Sequence, residues 1–281
     1  MIMERKITED LLKNFETNMR ADEKSTATIE KYLRDLRYFA SYVNGRAINK
    51  AFTLEYKTTL AKDYALTSAN SMLAALNTFL RFAGWQDCCV KQFKIQKKAF
   101  CSEKKELNKS EYLSLIRTAE NKNNMRLSLL IQTICGTGMR VSEVEYITVD
   151  NVHKGEAIVS CKGKTRRIFI VSALRKKLIR YAKDHGITSG MIFVTKTGKA
   201  INRSNIWSEM KKLCKEAGVS PEKVFPHNLR HLFARTFYGI EKDIAKLADI
   251  LGHSNINTTR IYIISTGAEH KRKMENMHLI V

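Results

Sequence analysis

The chain has 281 residues, about the length of two domains, each large enough to bury an apolar core of its own. Apolar residues make up 44% of the composition and charged residues 27%, with 2 prolines and 13 glycines, which excludes a disordered, collagen-like or low-complexity chain. The formal net charge of +21 favours a polyanionic partner, with nucleic acid first and an anionic membrane surface second.

Two features argue against the membrane. No apolar stretch approaches the roughly 18 to 20 residues that span a bilayer, and the run from Leu127 to Cys135 is short. The first 13 residues carry three acidic side chains and lack the apolar core of a signal peptide. We therefore expect a cytoplasmic protein. Its six cysteines form no CxxC pair, which indicates reduced thiols rather than disulfides or a metal site.

The first hundred residues predict four helices joined by short turns. Thr8 and Ser25 are candidate caps for the first two helices, because apolar positions recur at helical spacing after each of them. A third helix is predicted over residues 54–63 and a fourth over 68–82. Together they define a small helical domain over residues 1–92.

A polar, lysine-rich stretch over residues 93–107 predicts an interdomain linker. Its candidate DNA contacts are Lys97, Lys98, Lys104 and Lys105. A basic linker can cross a phosphate backbone, but a solvated tether explains the same charges, and the sequence leaves both interpretations open. The first 100 residues hold 17 basic and 11 acidic side chains and the rest hold 32 and 17, so we expect both halves to touch the same polyanion.

The second domain begins near Asn108, which forms a capping-box pattern with Glu111. Helices are predicted at 109–120, 124–135, 172–185, 203–217, 227–238, 242–251 and 268–277. After residue 149 the pattern changes to period two, which predicts short strands over 156–161 and 166–171 around a turn, and a brief strand over 191–194. The predicted fold class is therefore mainly α, with a small antiparallel sheet in the second domain.

Three short segments of this domain combine cationic side chains with turns or helix starts. The first, GTGMR, places Arg140 after a glycine-rich turn at the start of a helix, which suits a phosphate. In the second, PHNLRH, His227 and Arg230 lie three residues apart and can meet one phosphate together. In the third, LGHS, a glycine ends a helix and presents His253, nine residues before Tyr262.

The order of six residues resembles the tyrosine site-specific recombinases of the phage integrase family: Arg140, Lys164, His227, Arg230, His253 and Tyr262. The resemblance runs through the blocks GTGMRVSEV, KGKTRR, PHNLRH and LGHSNINTTRIY. It implies a catalytic domain over residues 108–265, a tail helix over 266–281 and, more weakly, a core-binding (SAM-like) architecture for the four-helix domain. The apolar neighbours of Tyr262 depart mildly from the family pattern.

The chemistry of these residue types agrees with the resemblance. A phosphodiester attacked by an oxygen nucleophile develops charge on its nonbridging oxygens, which two arginines and two histidines can stabilise without a metal ion or other cofactor. A phenol has an ordinary pKa of about 10 and needs cations or a base nearby, and His227 is a candidate base. The resemblance implies that Tyr262 is the nucleophile, that Lys164 on the hairpin protonates the departing 5′ oxygen, and that a 3′-phosphotyrosyl link forms.

Other charged residues are expected to support the site or to hold DNA. Glu143 resembles the family's acidic supporting position, and compensation of local positive charge is the alternative. His231 is a second supporting candidate. Three cations beside Lys164 are expected to hold the DNA backbone: Lys162, Arg166 and Arg167.

The predicted partners are double-stranded DNA and further copies of the chain. By resemblance, the tail docks on a neighbouring protomer and joins four subunits in a cycle on synapsed DNA, while packing on its own domain is the alternative. An accessory directionality protein is a candidate partner. From the length we expect no arm-site-binding domain and hence a simple recombinase, and integration or excision of a mobile element is preferred over resolution of chromosome dimers. Two alternatives remain: a type IB topoisomerase-like nicking and resealing enzyme, and a catalytically idle DNA-binding protein of the same fold.

Overall fold

A computed structural model describes residues 5–95, 105–161, 164–195, 197–263, 271–272 and 274–277. The chain divides into two compact units, Met1–Lys97 and Lys98–Val281. The division falls within the stretch predicted as a linker. Each unit has its own apolar core, and each is described separately below.

Over residues 5–95 the first unit is a bundle of four helices. These are α1 (Glu9–Ala21), α2 (Thr26–Val43), α3 (Lys50–Asp63) and α4 (Leu66–Phe82). Thr8 caps α1 as predicted, since its side chain accepts a hydrogen bond from the backbone N–H of Leu11 at 3.2 Å. The third helix begins four residues earlier than predicted because Asn49 caps it, accepting from the N–H of Phe52 at 2.9 Å.

Aromatic side chains fill the centre of this bundle. Phe15 and Phe79 are each at most 1% exposed, and their rings pack edge to face at 5.5 Å. The buried amide of Asn77 donates to the carbonyl of Val90 at 2.7 Å and accepts from the N–H of the same residue at 2.9 Å. Both backbone groups of Val90 are thereby satisfied, which fixes the chain that follows α4 along the bundle.

Over its described residues the second unit contains eight named α-helices, two short 3₁₀ helices (Val141–Tyr146 and Pro221–Lys223) and one hairpin. The α-helices and strands are α5 (Lys109–Asn121), α6 (Met125–Thr137), α7 (Val149–Lys154), β1 (Glu156–Cys161), β2 (Lys164–Phe169), α8 (Ser172–Asp184), α9 (Arg203–Ala217), α10 (Pro226–Glu241), α11 (Ile244–Leu251) and α12 (Ile256–Ile263). The capping box predicted at the start of α5 is present: Asn108 accepts from the N–H of Glu111 at 2.8 Å, and Glu111 accepts from the N–H of Asn108 at 3.0 Å.

The hairpin differs from the prediction in register. β1 and β2 are antiparallel, and their last pair joins Cys161 to Lys164. Lys164 is therefore the first residue of β2 rather than part of the turn, and residues 162–163, which connect the strands, lie outside the described residues. The strand predicted over 191–194 does not form, because that segment makes only isolated bridges within the described chain.

Two helices of the second unit are absent from the sequence prediction, α7 and α12. Helix α12 has eight residues, packs against α10 and α11, and buries Thr259 and Tyr262. Of the predicted tail helix, residues 271–272 and 274–275 are helical, and the remainder beyond residue 263 is turn or lies outside the described residues. No helix in the described part of the chain is both long and apolar enough to cross a membrane.

Candidate active site

Helix α10 carries three of the predicted site residues. Pro226 occupies its first turn, where a missing N–H costs no hydrogen bond. The helical period brings His227 and His231 onto one stripe, with ring centres 5.0 Å apart. Arg230 lies beside them and points into the protein.

Arg230 is a charged residue with only 1% exposure. Its guanidinium donates to the carbonyl of Gly138 at 2.5 Å and to the carbonyl of Leu251 at 2.6 Å. Its Nε is buried without a hydrogen-bond partner. Burial, and then the charge of Arg140, lower its pKa to about 10, so it remains a cation at neutral pH.

The contact between Arg230 and the carbonyl of Gly138 depends on the glycine. Gly138 ends α6 with a φ of 65°, in the left-handed region. A Cβ atom at this position would lie 2.4 Å from the ring of Phe233. The glycine of the GTGMR segment therefore lets the backbone pass close to α10, where its carbonyl meets Arg230.

Arg140 and Arg166 share one buried carboxylate. Glu143 is 2% exposed and accepts from the backbone N–H of Arg140 at 2.7 Å and from its guanidinium at 3.0 Å. Arg166, on β2, donates to the same carboxylate at 2.5 Å and to the carbonyl of Ile250 at 2.6 Å. Burial acts to raise the pKa of Glu143, but the Arg140 N–H and the charge of Arg166 outweigh it and hold the pKa below its usual value.

His253 is oriented by two partners. Its Nε2 lies 3.0 Å from the guanidinium of Arg230, and its Nδ1 lies 2.9 Å from the hydroxyl of Thr259. Burial, and then the charges of Arg230 and Arg140, lower the pKa of His253 to about 4, so the ring is neutral at pH 7. Because an arginine only donates, Nε2 accepts and the ring hydrogen lies on Nδ1.

Tyr262 lies in the middle of these groups. It is 6% exposed, and its ring centre is 5.3 Å from that of His227, 4.3 Å from that of His231 and 5.3 Å from that of His253. The guanidinium carbon of Arg230 is 5.9 Å from the same ring centre. The phenol of one chain is therefore surrounded by histidines and a cation of that same chain.

His227 faces a cavity of about 610 Å³ beside this cluster. Burial of part of its ring, and then the neighbouring His231 and Arg230, lower its pKa to about 4, so it is neutral and can accept a proton at pH 7. A second cavity of about 660 Å³ lies against Arg140 and His253. Arg140 lines both cavities, and its 35% exposed side chain is accessible to a ligand.

The structure brings eight of the predicted residues together and leaves others apart. The eight are Arg140, Glu143, Arg166, His227, Arg230, His231, His253 and Tyr262. Arg166, expected on the DNA-facing surface, is instead 11% exposed and held inside by Glu143. Arg167 is exposed and pairs with Glu156 at 3.4 Å. The exposed Lys105 side chain makes no described contact with the site. Nothing is described for Lys97, Lys98, Lys104 and Lys162, or for the side chain of Lys164.

Sequence reasoning missed three residues that support the site. Thr259 orients His253, and a carboxylate oxygen of Glu106 lies 3.6 Å from Nδ1 of His231. Arg235 lies 3.6 Å from the other oxygen of Glu106. The four-residue spacing of His227, His231 and Arg235 places them on one face of a helix and could have indicated Arg235. No local pattern indicates Thr259 or Glu106.

Comparison with known proteins identifies the family. The model of the phage integrase family matches residues 105–269, more than half of the chain. The chain therefore belongs to the phage integrase family, the tyrosine site-specific recombinases, as its sequence motifs predicted. It is an enzyme of site-specific DNA recombination.

Individual relatives agree with this assignment. The chain is 29% identical to tyrosine recombinase XerA of Pyrococcus horikoshii, covering 98% of this chain and 95% of that protein. It is 26% identical to tyrosine recombinase XerD of Halalkalibacterium halodurans, covering 85% and 87%. In fold it is similar to a lambda integrase tetramer bound to a Holliday junction, with a TM-score of 0.73, 16% identity, and 90% and 76% of the two chains covered. The predicted mainly α fold is confirmed.

Proposed function

We propose that this enzyme cuts duplex DNA through Tyr262 and holds the cut strand as a 3′-phosphotyrosyl ester. The phenol oxygen attacks phosphorus, the bond to the 5′ oxygen breaks, and a free 5′ hydroxyl leaves. The observation that supports this most directly is the position of Tyr262, buried among three imidazoles and beside Arg230. A cation beside the phenol can stabilise the negative charge that develops on the phosphate during attack.

The described residues divide the work of this step. Arg140 and Arg230 hold the nonbridging oxygens, whose charge grows in the transition state. His227, neutral at pH 7, accepts the phenol proton, and His253, which accepts from Arg230, helps to hold that guanidinium in place. Glu143 and His231 support these groups without touching the phosphorus.

A hairpin lysine supplies the proton that the 5′ oxygen takes when it leaves. Lys164 has this role by resemblance to the family. Lys162 is the alternative, because Lys164 pairs with Cys161 at the end of the ladder and Lys162 belongs to the connection itself. Arg167 is proposed to contact backbone phosphates, and so is Lys162 if Lys164 is the general acid.

The front unit is proposed to bind the same DNA. Lys50, Arg81 and Lys91 line a concave surface of about 600 Å³ on that unit. Three cations around one depression suit a phosphate backbone. Lys97, Lys98, Lys104 and Lys105 are proposed to contact the same backbone, because a lysine-rich stretch can neutralise phosphates. Charge removal at the depression should weaken DNA binding and reduce its salt dependence.

The phosphotyrosyl ester retains the energy of the broken bond, so a 5′ hydroxyl from a second duplex can attack it and exchange strands without ATP. Exchange between two duplexes requires four active sites, so we propose a tetramer on DNA in which the tail beyond Tyr262 docks on a neighbouring protomer. The described tail residues Met274 and Met277 are 60% and 58% exposed, which leaves them available to such a partner.

We also propose that the enzyme acts in the cytoplasm at the nucleoid, where it integrates or excises a mobile element with the help of an accessory directionality protein.

The test is covalent capture. Purified protein is incubated with sheared DNA from the genome that encodes it, denatured, and the DNA that stays attached is sequenced to define the site. Wild type should retain DNA, and Tyr262→Phe should retain none. The control, Tyr181→Phe, removes a tyrosine hydroxyl outside the site and should retain DNA as wild type does. Absence of attached DNA with wild type would favour an idle DNA-binding protein. Joining of two different duplexes excludes a topoisomerase-like enzyme, which acts on one duplex.

A sulfur leaving group identifies the general acid. A 5′-bridging phosphorothiolate leaves as a thiolate and needs no proton, so it restores cleavage only to a variant that has lost the acid. We expect Lys164→Ala to be inactive on the oxygen substrate and active on the sulfur substrate. Rescue of Lys162→Ala instead would transfer the role to Lys162.

A further inference from the structure

His231 packs against the ring of Tyr262 and also lies beside the carboxylate of Glu106. Its ring centre is 4.3 Å from that of Tyr262, with an angle of 39° between the two planes. Its Nδ1 is buried, has no hydrogen-bond partner, and lies 3.6 Å from a carboxylate oxygen of Glu106. His231 therefore stands between Glu106 and the nucleophile, and both His231 and Glu106 are mostly enclosed, at 13% and 15% side-chain exposure.

The backbone holds Glu106 in this position. The preceding carbonyl, of Lys105, accepts from the buried amide of Asn228 at 2.7 Å. The following side chain, Leu107, is 1% exposed in the core of the second unit. Asn228 belongs to α10, so the same helix that carries His231 fixes the segment that carries the carboxylate.

Arg235 completes the arrangement. It lies one helical turn after His231 on α10, and its guanidinium is 3.6 Å from the second oxygen of Glu106. The carboxylate thus faces a cation on one side and an imidazole on the other. The contact with His231, followed by those with Arg235, keeps the pKa of Glu106 below its usual value against the effect of burial, so the carboxylate is ionised at neutral pH.

We propose that Glu106 is a positioning residue for the nucleophile and acts through His231. A carboxylate beside Nδ1 favours a hydrogen on that nitrogen and fixes the plane of the ring, as a buried acid does for a histidine in hydrolase triads. The 3.6 Å separation shortens to a hydrogen bond when DNA occupies the site, as such contacts commonly do. Tyr262, packed on this ring, is thereby held in line with the phosphate. The proposal rests on Tyr262 being the nucleophile.

A purely structural role for Glu106 predicts different behaviour. If the carboxylate only ties its segment to α10, its loss lowers stability and affects cleavage to the same degree whether or not His231 is present. If it acts through His231, the loss affects cleavage only while the imidazole is there. A double-mutant cycle separates the two cases.

The experiment uses the captured DNA site and measures its dissociation constant and the single-turnover rate of covalent attachment. Glu106→Gln should slow attachment by about 10-fold or more with the dissociation constant within about 2-fold, and Glu106→Asp, which keeps the charge, should recover part of the rate. In a His231→Asn background, Glu106→Gln should change the rate by less than about 2-fold. The control, Glu209→Gln, removes the acid of another partly buried ion pair, Arg126 with Glu209, and should leave the rate unchanged.

A second readout needs neither DNA nor activity. In ¹⁵N spectra of the seven histidines, with His231 assigned from the His231→Asn variant, wild type should show the hydrogen on Nδ1. Glu106→Gln should shift that population toward Nε2. Equal rate losses in both His231 backgrounds, or a wild-type rate in Glu106→Gln, would overturn the proposal. Failure of wild type to attach DNA would instead refute Tyr262 as the nucleophile, whatever the spectra show.

Discussion

The two halves of the site balance their charges in opposite ways. In the corner, formed by Arg140, Glu143 and Arg166, one buried carboxylate pairs with two guanidiniums. In the centre, formed by Arg230, His253 and Tyr262, no ion pair to Arg230 occurs among the described residues, and its donors meet carbonyls and an imidazole. The carboxylate offsets one of the two positive charges of the corner, whereas the centre has no carboxylate partner among the described residues and holds a buried positive charge that a phosphate would neutralise.

The environment of the centre also sets the protonation state of its histidines. Burial first, and then the charges of neighbouring groups, lower the pKa of both His227 and His253 to about 4, so both remain neutral at pH 7. A neutral imidazole can accept a proton, whereas a protonated one beside Arg230 would add repulsion. The centre therefore combines a fixed cation with titratable groups kept uncharged until an anion binds.

The largest expected effect comes from the unbalanced cation. Arg230→Lys keeps the charge but loses the forked donors, so we expect the single-turnover cleavage rate to fall on the order of 10²–10³-fold. The control is Arg126→Lys, which alters a partly buried arginine paired with Glu209 and should leave the rate within about 2-fold. A rate near wild type for Arg230→Lys would mean that the centre does not hold the phosphate.

Removing the acid of the corner tests the other half. Glu143→Gln leaves Arg140 and Arg166 side by side without a counterion, so we expect the second unit to lose about 3 kcal/mol of unfolding free energy. Urea unfolding can be followed by Trp207 fluorescence in a Trp85→Phe background, because each unit contains one tryptophan. Glu55→Gln, which breaks an exposed ion pair of the front unit, should cost that unit less than about 1 kcal/mol, followed by Trp85 fluorescence in a Trp207→Phe background. Equal losses would remove the distinction between buried and exposed acids.

Local signals explain which parts of this site the sequence could predict. Pro226 at a helix start and the capping box at Asn108 act within a few residues, and both elements form as expected. Helix α12 was missed because its eight residues include two threonines and an asparagine, which have low helix propensity, and packing against α10 and α11 stabilises it instead. The burial of Tyr262 is a consequence of that packing, so no local pattern could indicate it.

Strand register separates Arg166 from Arg167. Arg166 pairs with Val159, which is 1% exposed, and Arg167 pairs with Ile158, which is 61% exposed. Alternation therefore places Arg166 on the inner face and Arg167 on the outer face. The sequence showed two adjacent cations but not the register, and it could not show Glu106 meeting His231 from 125 positions away.

A glycine connects the corner to the centre. Gly252 ends α11 with a φ of 65°, and a Cβ there would lie 2.4 Å from Cδ of Arg166. Gly218 ends α9 with a φ of 64° and nothing within 4 Å, so it is a matched control. Gly218→Ala should cost about 1 kcal/mol of stability from backbone strain alone. Gly252→Ala should cost about 1–2 kcal/mol more, because Arg166 must move away from Glu143. Equal costs would mean that Arg166 adjusts freely.

The smallest expected effect is the pH dependence of stability in the free protein. The unfolded chain protonates His253 below its ordinary pKa of about 6.5, whereas the folded chain does so only near pH 4, so the unfolded state binds more protons between these values. Stability therefore falls as the pH is lowered across that interval. His253 should account for on the order of 1 kcal/mol of the stability lost between pH 7 and pH 5. In His253→Gln the difference in Tm between these two pH values, measured by calorimetry, should therefore be smaller by about 2–4 °C. The control, His153→Gln on the exposed side of α7, should reproduce the wild-type difference in Tm between the two pH values. An unchanged slope in His253→Gln would show that burial and the neighbouring arginines do not keep this ring neutral.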